Sequence, residues 1–180
     1  MNETRFPAVY LIHGLGGSPE GSVRLLEAEL VKCGRQENFV RPLLPHADPT
    51  APPSESVRYL ASLDLPEGAL VVGISLGGLV GAKLQESERP DLHVICINSP
   101  TWAGDTELVA RMNRRLSLYC SSDAVIAGRT ARWPQLAEAY DLPWLSGHDT
   151  DPHKRALALI IIAYIKGHNI PRTLESIYEQ

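Results

Sequence analysis

Apolar residues gather along this chain in short continuous runs, separated by stretches with helical spacing. "AVYLI" (8–12), "ALVVGI" (69–74), "HVICIN" (93–98) and "LSLYC" (116–120) are apolar nearly throughout. Runs of this length read as strands buried on both faces. "NFVRPLL" (38–44), interrupted by Pro42, and the short "LPWLS" (142–146) are weaker strand candidates. Helical spacing places Val23, Leu26, Leu30 and Cys33 on one face of a helix over 19–34. Further helices are predicted from Ser54 as cap through Ala61, over 76–88, 105–115 and 132–140, and over 171–180. Asp151 followed by Pro152 reads as cap and first-turn proline of a helix through Lys166. "PHADPTAPP" (45–53) has four prolines and is expected to be a loop.

Strands therefore alternate with helices. That order predicts an α/β fold: a mostly parallel sheet of about six strands covered by helices on both faces. No repeat, low-complexity block or linker divides the chain, so residues 1–180 are expected to form a single domain.

Composition narrows the function classes. Hydrophobic residues make up 44% of the 180 and charged residues 21%, as in ordinary globular proteins. The net charge is -4 and no basic cluster interleaves with aromatics, so a nucleic-acid partner is not expected. The longest apolar run, "ALALIIIAYI", has ten residues, too few to span a bilayer. The start "MNETRFPAVYLIHG" shows no leader pattern. Of three cysteines, Cys96 and Cys120 lie in apolar runs and read as packed thiols. These features together predict a cytoplasmic location.

One stretch does not fit a plain strand. "VVGISLGG" (71–78) ends a valine run in a serine fenced by glycines. Glycine weakens strand interiors, so Gly73, Gly77 and Gly78 point to unusual backbone angles or a close approach. Gly73-Ile74-Ser75-Leu76-Gly77 lies between a predicted strand and a predicted helix, which is the frame of a sharp turn that lifts Ser75 above the sheet edge. The plainer alternative is a glycine-rich turn for tight helix–sheet packing. A serine hydroxyl needs a base, a group that orients the base, and donors for an oxyanion. The backbone N–H of Leu76, just after the serine, is one expected donor.

"YLIHGLGGSP", "GISLGG" and "INSP" together resemble the α/β-hydrolase superfamily, in particular its small bacterial serine esterases, and the resemblance covers nearly the whole chain. It implies that Leu15, in "HGL", supplies the second oxyanion N–H, and that His13 is structural. "GLGGS" lacks the full GxGxxG spacing of a dinucleotide loop, and no cofactor or metal is expected. Larger members begin with antiparallel strands, which are not expected here, and many carry a large helical lid, for which the stretch from "HVICIN" to "LSLYC" is expected to leave no room.

The superfamily orders its triad as nucleophile, acid, histidine. Asp123, just past "LSLYC", is the favoured acid; Asp105 precedes a predicted helix and fits better as its cap. His148, in the loop "WLSGHDTD", is the favoured base, and His153 is its close rival. His46 in the proline-rich loop and Trp102 after "INSP" are candidate pocket-lining residues; Trp102 has packing of the turn onto the core as its alternative. The expectation is an open, shallow site acting on small or short-chain esters, with a thioesterase or a non-catalytic interaction protein as the alternatives.

Overall fold

The computed structural model describes residues 6–34 and 38–179. Part of the start used for the leader expectation, residues 1–5, lies outside them, as does the last residue of the final predicted helix.

The apolar runs form strands because each has a core on either side. In β1 (Val9–Ile12), Val9 and Leu11 join one cluster while Tyr10 and Ile12 join the other. The same period-2 alternation recurs in β3 (Leu70–Ile74) and β4 (His93–Ile97). The first cluster lies under α1 (Ser22–Lys32) and two C-terminal helices described below; the second lies under α2 (Pro53–Ser62) and α3 (Leu76–Ser87). Burial on both faces is what makes these strands readable as unbroken apolar runs.

Six strands pair in parallel in the order β2-β1-β3-β4-β7-β8, where β2 is Phe39–Val40, β7 is Arg115–Tyr119 and β8 is Glu138–Asp141. From β1 the chain steps to one side for β2, then crosses back for β3 on the other. The order thus reverses between β1 and β3, and the loops leaving their carboxyl ends diverge to open a crevice. A separate two-stranded hairpin, β5 (Trp102–Ala103) and β6 (Thr106–Glu107), follows β4.

The structure differs from the pattern in several segments. Residues 105–115 are not a helix. They hold β6, then an irregular stretch fixed by tertiary bonds: the Glu86 carboxylate accepts the N–H groups of Val109 (3.1 Å) and Ala110 (3.0 Å). The fully buried Arg115 donates to the carbonyls of Ala82, Ala110 and Leu136 and to Gln85. Partners distant in sequence thereby replace the local helical bonds. The predicted helix over 132–140 is a single turn, α4 (Trp133–Leu136), which ends where Ala137 turns extended (φ -158°, ψ 170°) and leads into β8. The edge position beside β7 is taken by β8, while "LPWLS", expected to be a short strand, forms a 3₁₀ turn at Pro143–Leu145. No residue of β8 is fully buried, so the strand lacks an apolar signature.

Ser54 lies inside the first turn of α2, whose cap position is Pro52. Asp105 serves that helix from outside: its carboxylate accepts the Ser54 N–H at 3.1 Å and the Ser54 hydroxyl. Asp151 lies one residue inside a 3₁₀ turn (Asp151–His153) that runs into α5 (Lys154–Ile165), and α6 (Ile170–Tyr178) closes the chain. Among the described residues no helix is long and apolar enough to cross a membrane.

Candidate active site

Ser75 occupies a sharp bend between β3 and α3, with φ 52° and ψ -123°. A non-glycine residue at such angles is strained by about 1–3 kcal/mol and persists only where its surroundings enforce it. Here the surroundings at Gly73 and Gly77 are backbone. A Cβ on Gly73 would stand 2.2 Å from the Gly77 carbonyl carbon and the Gly78 nitrogen. One on Gly77 would stand 2.5 Å from the carbonyl oxygens of Ile12 and His13. The helix start folds directly over the strand, and only glycine permits that approach. The Ser75 N–H is held by the Ile97 carbonyl at 2.8 Å, which ties the bend to the end of β4.

Two of the predicted partners converge on this serine. His148 Nε2 lies 2.9 Å from Ser75 Oγ. His148 Nδ1 lies 2.6 Å from Asp123 Oδ2. Asp123 is buried on the loop after β7, and its other oxygen accepts the Val125 N–H at 2.9 Å. With Nδ1 donating to the carboxylate, Nε2 is left as the lone-pair acceptor of the serine proton. His153, the rival base, instead packs edge-on against Trp144. Asp105, the rival acid, is committed to α2.

Leu76 begins α3, so its N–H has no intrahelical acceptor. Leu15 lies on the loop after β1 and lines the same cavity as Ser75, and its N–H has no acceptor among the described residues. Gly14 brings that loop against the serine: a Cβ there would meet Ser75 Cβ at 3.3 Å.

The loop is shaped from behind by two buried histidines. Leu44 N–H donates to His13 Nε2 (3.0 Å), so His13 carries its proton on Nδ1 and donates it to the Gly14 carbonyl (2.8 Å). His46 Nε2 donates to the His13 carbonyl at 2.7 Å, which leaves Nδ1 to accept from Ser56 Oγ at 2.8 Å. The Gly16 N–H donates to the His46 carbonyl. Burial pushes the His46 imidazole down to about 4 and also lowers His13, so both rings are held neutral. His46 is thus a strut under the loop and does not line the cavity, contrary to expectation.

The cavity above Ser75 has a volume of about 820 Å³. It is larger than a lidless chain led us to expect, because two segments wall it: the proline-rich loop through Pro49 and Pro52, and the hairpin turn at Ala103 and Gly104. The walls meet where Gly104 abuts Pro53 and Asp105 binds Ser54. Trp102 is 43% exposed and stands outside this cavity, carrying the Arg129 guanidinium 4.3 Å over its ring. Arg129 is the member of that pair that lines the cavity.

Sequence reasoning missed Asn98, which is fully buried with φ 45°. Its amide donates to the Gly147 carbonyl (2.8 Å) and its oxygen accepts the Cys120 N–H (2.9 Å). It therefore joins the loop of His148 to the loop of Asp123. An asparagine directly after an apolar strand, a residue type tolerant of left-handed angles, is the signal that marked it.

Neither a scan of protein-family models nor a search of curated proteins finds a match to this chain. Solved structures do resemble it. A hydrolase from Pseudomonas aeruginosa PA01 superposes with a TM-score of 0.68 at 15% identity, covering 93% of this chain and 92% of that one. Alpha/beta hydrolase domain-containing protein 10 from mouse gives 0.67 at 12% identity over 89% and 90%. A serine hydrolase involved in carbazole degradation gives 0.67 at 13% over 88% and 90%. At these identities the likeness speaks to architecture, and with the parallel sheet and the bend after β3 it establishes that the chain has the α/β-hydrolase fold.

Proposed function

We propose that this protein is a serine hydrolase, a carboxylesterase for small or short-chain esters working through an acyl-enzyme. The observation that carries the reading is the relay of 2.9 Å from Ser75 to His148 and 2.6 Å from His148 to Asp123, mounted on a strained bend at the cavity wall.

Ser75 Oγ attacks the ester carbonyl carbon as His148 Nε2 takes its proton. Asp123, kept from water, holds the imidazole in the productive tautomer and balances the imidazolium. The N–H groups of Leu15 and Leu76 stabilise the oxyanion that forms. The intermediate collapses as Nε2 returns the proton to the departing alcohol. A water then gives its proton to Nε2, attacks the acyl group, and regenerates Ser75 with release of the acid. The three cysteines are free thiols, which is consistent with a cytoplasmic setting.

The test is a panel of p-nitrophenyl esters from acetate to palmitate with matched thioesters, run on wild type and Ser75→Ala, beside fluorophosphonate labelling followed by intact mass. Turnover of short esters and a single adduct, both absent in Ser75→Ala, are expected. A folded wild-type protein that neither turns over nor takes the label overturns the reading in favour of an interaction protein.

A further inference from the structure

The cavity holds one feature that the hydrolytic relay does not use. Arg129 lines it, and among the described residues its guanidinium has no acidic partner and no hydrogen-bond acceptor. Its position is nonetheless fixed. The Trp102 ring lies beneath the guanidinium at 4.3 Å. The Arg129 carbonyl accepts both the N–H (2.8 Å) and the hydroxyl (3.0 Å) of buried Thr101, and its own N–H donates to Ile126. It rides on the same loop as Asp123, so its placement is coupled to that of the relay.

Two carboxylates also line the cavity, and both are engaged elsewhere. Asp151 accepts from Ser22 Oγ (2.7 Å) and Lys154 Nζ (3.0 Å). Asp149 accepts the Asp151 N–H (2.9 Å) and faces the Lys154 charge. Lys154, nearly buried, pairs with Asp151 and offsets one of these two charges, while Arg129 presents its positive charge to the cavity. A fork of N–H donors held by its stacking partner is the geometry that recognises a carboxylate in two-point fashion.

We infer that Arg129 is a specificity-determining residue that binds a carboxylate on the substrate, so that the preferred esters are anionic. The inference rests on the ester-hydrolase reading above for its substrate class, and on the cavity alone for its anion site. The carboxylate has two possible sources: the acyl part, as in a half-ester of a dicarboxylic acid, or the alcohol part.

Two pairs of esters of matched shape separate them. On the acyl side, mono-p-nitrophenyl glutarate is compared with p-nitrophenyl 5-methylhexanoate; on the alcohol side, 3-carboxyphenyl butyrate with 3-isopropylphenyl butyrate. A charge-assisted pair predicts kcat/KM about 10- to 100-fold higher for the anion in one of the two pairs. That ratio should fall to about one in Arg129→Gln and recover in part in Arg129→Lys, which keeps the charge without the fork. Binding is measured separately, by calorimetric titration of Ser75→Ala with monomethyl glutarate and with 3-carboxyphenyl butyrate. The added Arg129→Gln change should weaken one of them about tenfold or more. Arg129-dependent binding without turnover of any ester defeats the hydrolase reading and leaves the anion site standing. Turnover with no preference for either anion, a preference that survives Arg129→Gln, or binding indifferent to Arg129 overturns the inference.

Discussion

Acid should weaken this fold through His46, and the size of the effect follows from how that ring is held. His46 is fully buried, donates from Nε2 to the His13 carbonyl and accepts at Nδ1 from Ser56. A second proton has nowhere to go except Nδ1, where it displaces the Ser56 bond, and the neighbouring His13 ring is only 4.5 Å away. Burial lowers the group from its ordinary 6.5 to about 4, outweighing the bond to the His13 carbonyl, which favours the charged form. The unfolded chain takes up the proton as pH falls through 6.5, whereas the folded chain resists it until about 4. Between those values the unfolded state binds more protons, so stability falls as pH falls. The contribution is fully present above 6.5. Each tenfold step in the gap is worth about 1.4 kcal/mol, so about 3 kcal/mol is lost by pH 4, and about 1.5 kcal/mol of that between pH 6.5 and 5.

The higher window is the useful one, because the carboxylates titrate mostly below it in both states. Urea unfolding at pH 6.5 and pH 5.0 should show wild type losing about 1.5 kcal/mol more than His46→Gln, a variant that cannot titrate yet keeps a donor for the His13 carbonyl. His13 contributes to both proteins, so the difference isolates His46. Equal losses in the two proteins would refute the argument that His46 is held neutral as a strut.

Two substitutions separate chemistry from scaffold. Asp123→Asn should leave the thermal unfolding midpoint within a few degrees of wild type and lower kcat on p-nitrophenyl butyrate by about 10³- to 10⁴-fold, because an amide cannot hold the productive His148 tautomer or balance its charge; near-wild-type turnover would reject the assignment of the acid. Gly73→Ala should do the reverse of a mild cavity change: its methyl meets backbone at 2.2 Å, so stability should drop by about 3 kcal/mol or more, read as a midpoint about 10 °C lower by calorimetry, with loss of fluorophosphonate labelling.

What could be read from the sequence depended on whether the deciding partner was local. β1, β3 and β4 were legible because burial on both faces writes an unbroken apolar run. β8 was not, since an edge strand with no fully buried residue writes no pattern at all. Residues 105–115 misled for a different reason. Their residue types suit a helix, and nothing local reveals that Glu86 will take two of their N–H groups or that Arg115 will take the Ala110 carbonyl. The same rule sorts the site. The bend at Ser75 was legible because its crowding falls on residues two places either side, and the loop of Asp123 because it follows the apolar run of β7; His148 was placed in a loop after an expected strand that is a 3₁₀ turn. His46 and Trp102 were misplaced because their roles depend on which loop lies behind which, and Asn98 was overlooked because both its partners belong to other loops.

That pattern of misses has a structural cause. The loops at the carboxyl ends of the strands reach the core through scattered apolar residues such as Leu44, Leu108, Leu142 and Leu145, with polar stretches between those anchors. They are fixed by side chains reaching from one loop to another. His46 and Ser56 brace the loop after β1, Asp105 clamps the hairpin to α2, and Asn98 joins the loops of Asp123 and His148. Ser22, Asp151 and Lys154 anchor the stretch just after His148 to α1. His46, Ser56, Asn98 and Lys154 are buried, so losing a partner at these leaves the other group unsatisfied at about 1–3 kcal/mol. A relay that needs placement within about half an ångström gains from struts that cannot relax without such a cost. Among the described residues, the polar bonds between loops therefore carry much of the precision with which the relay is placed.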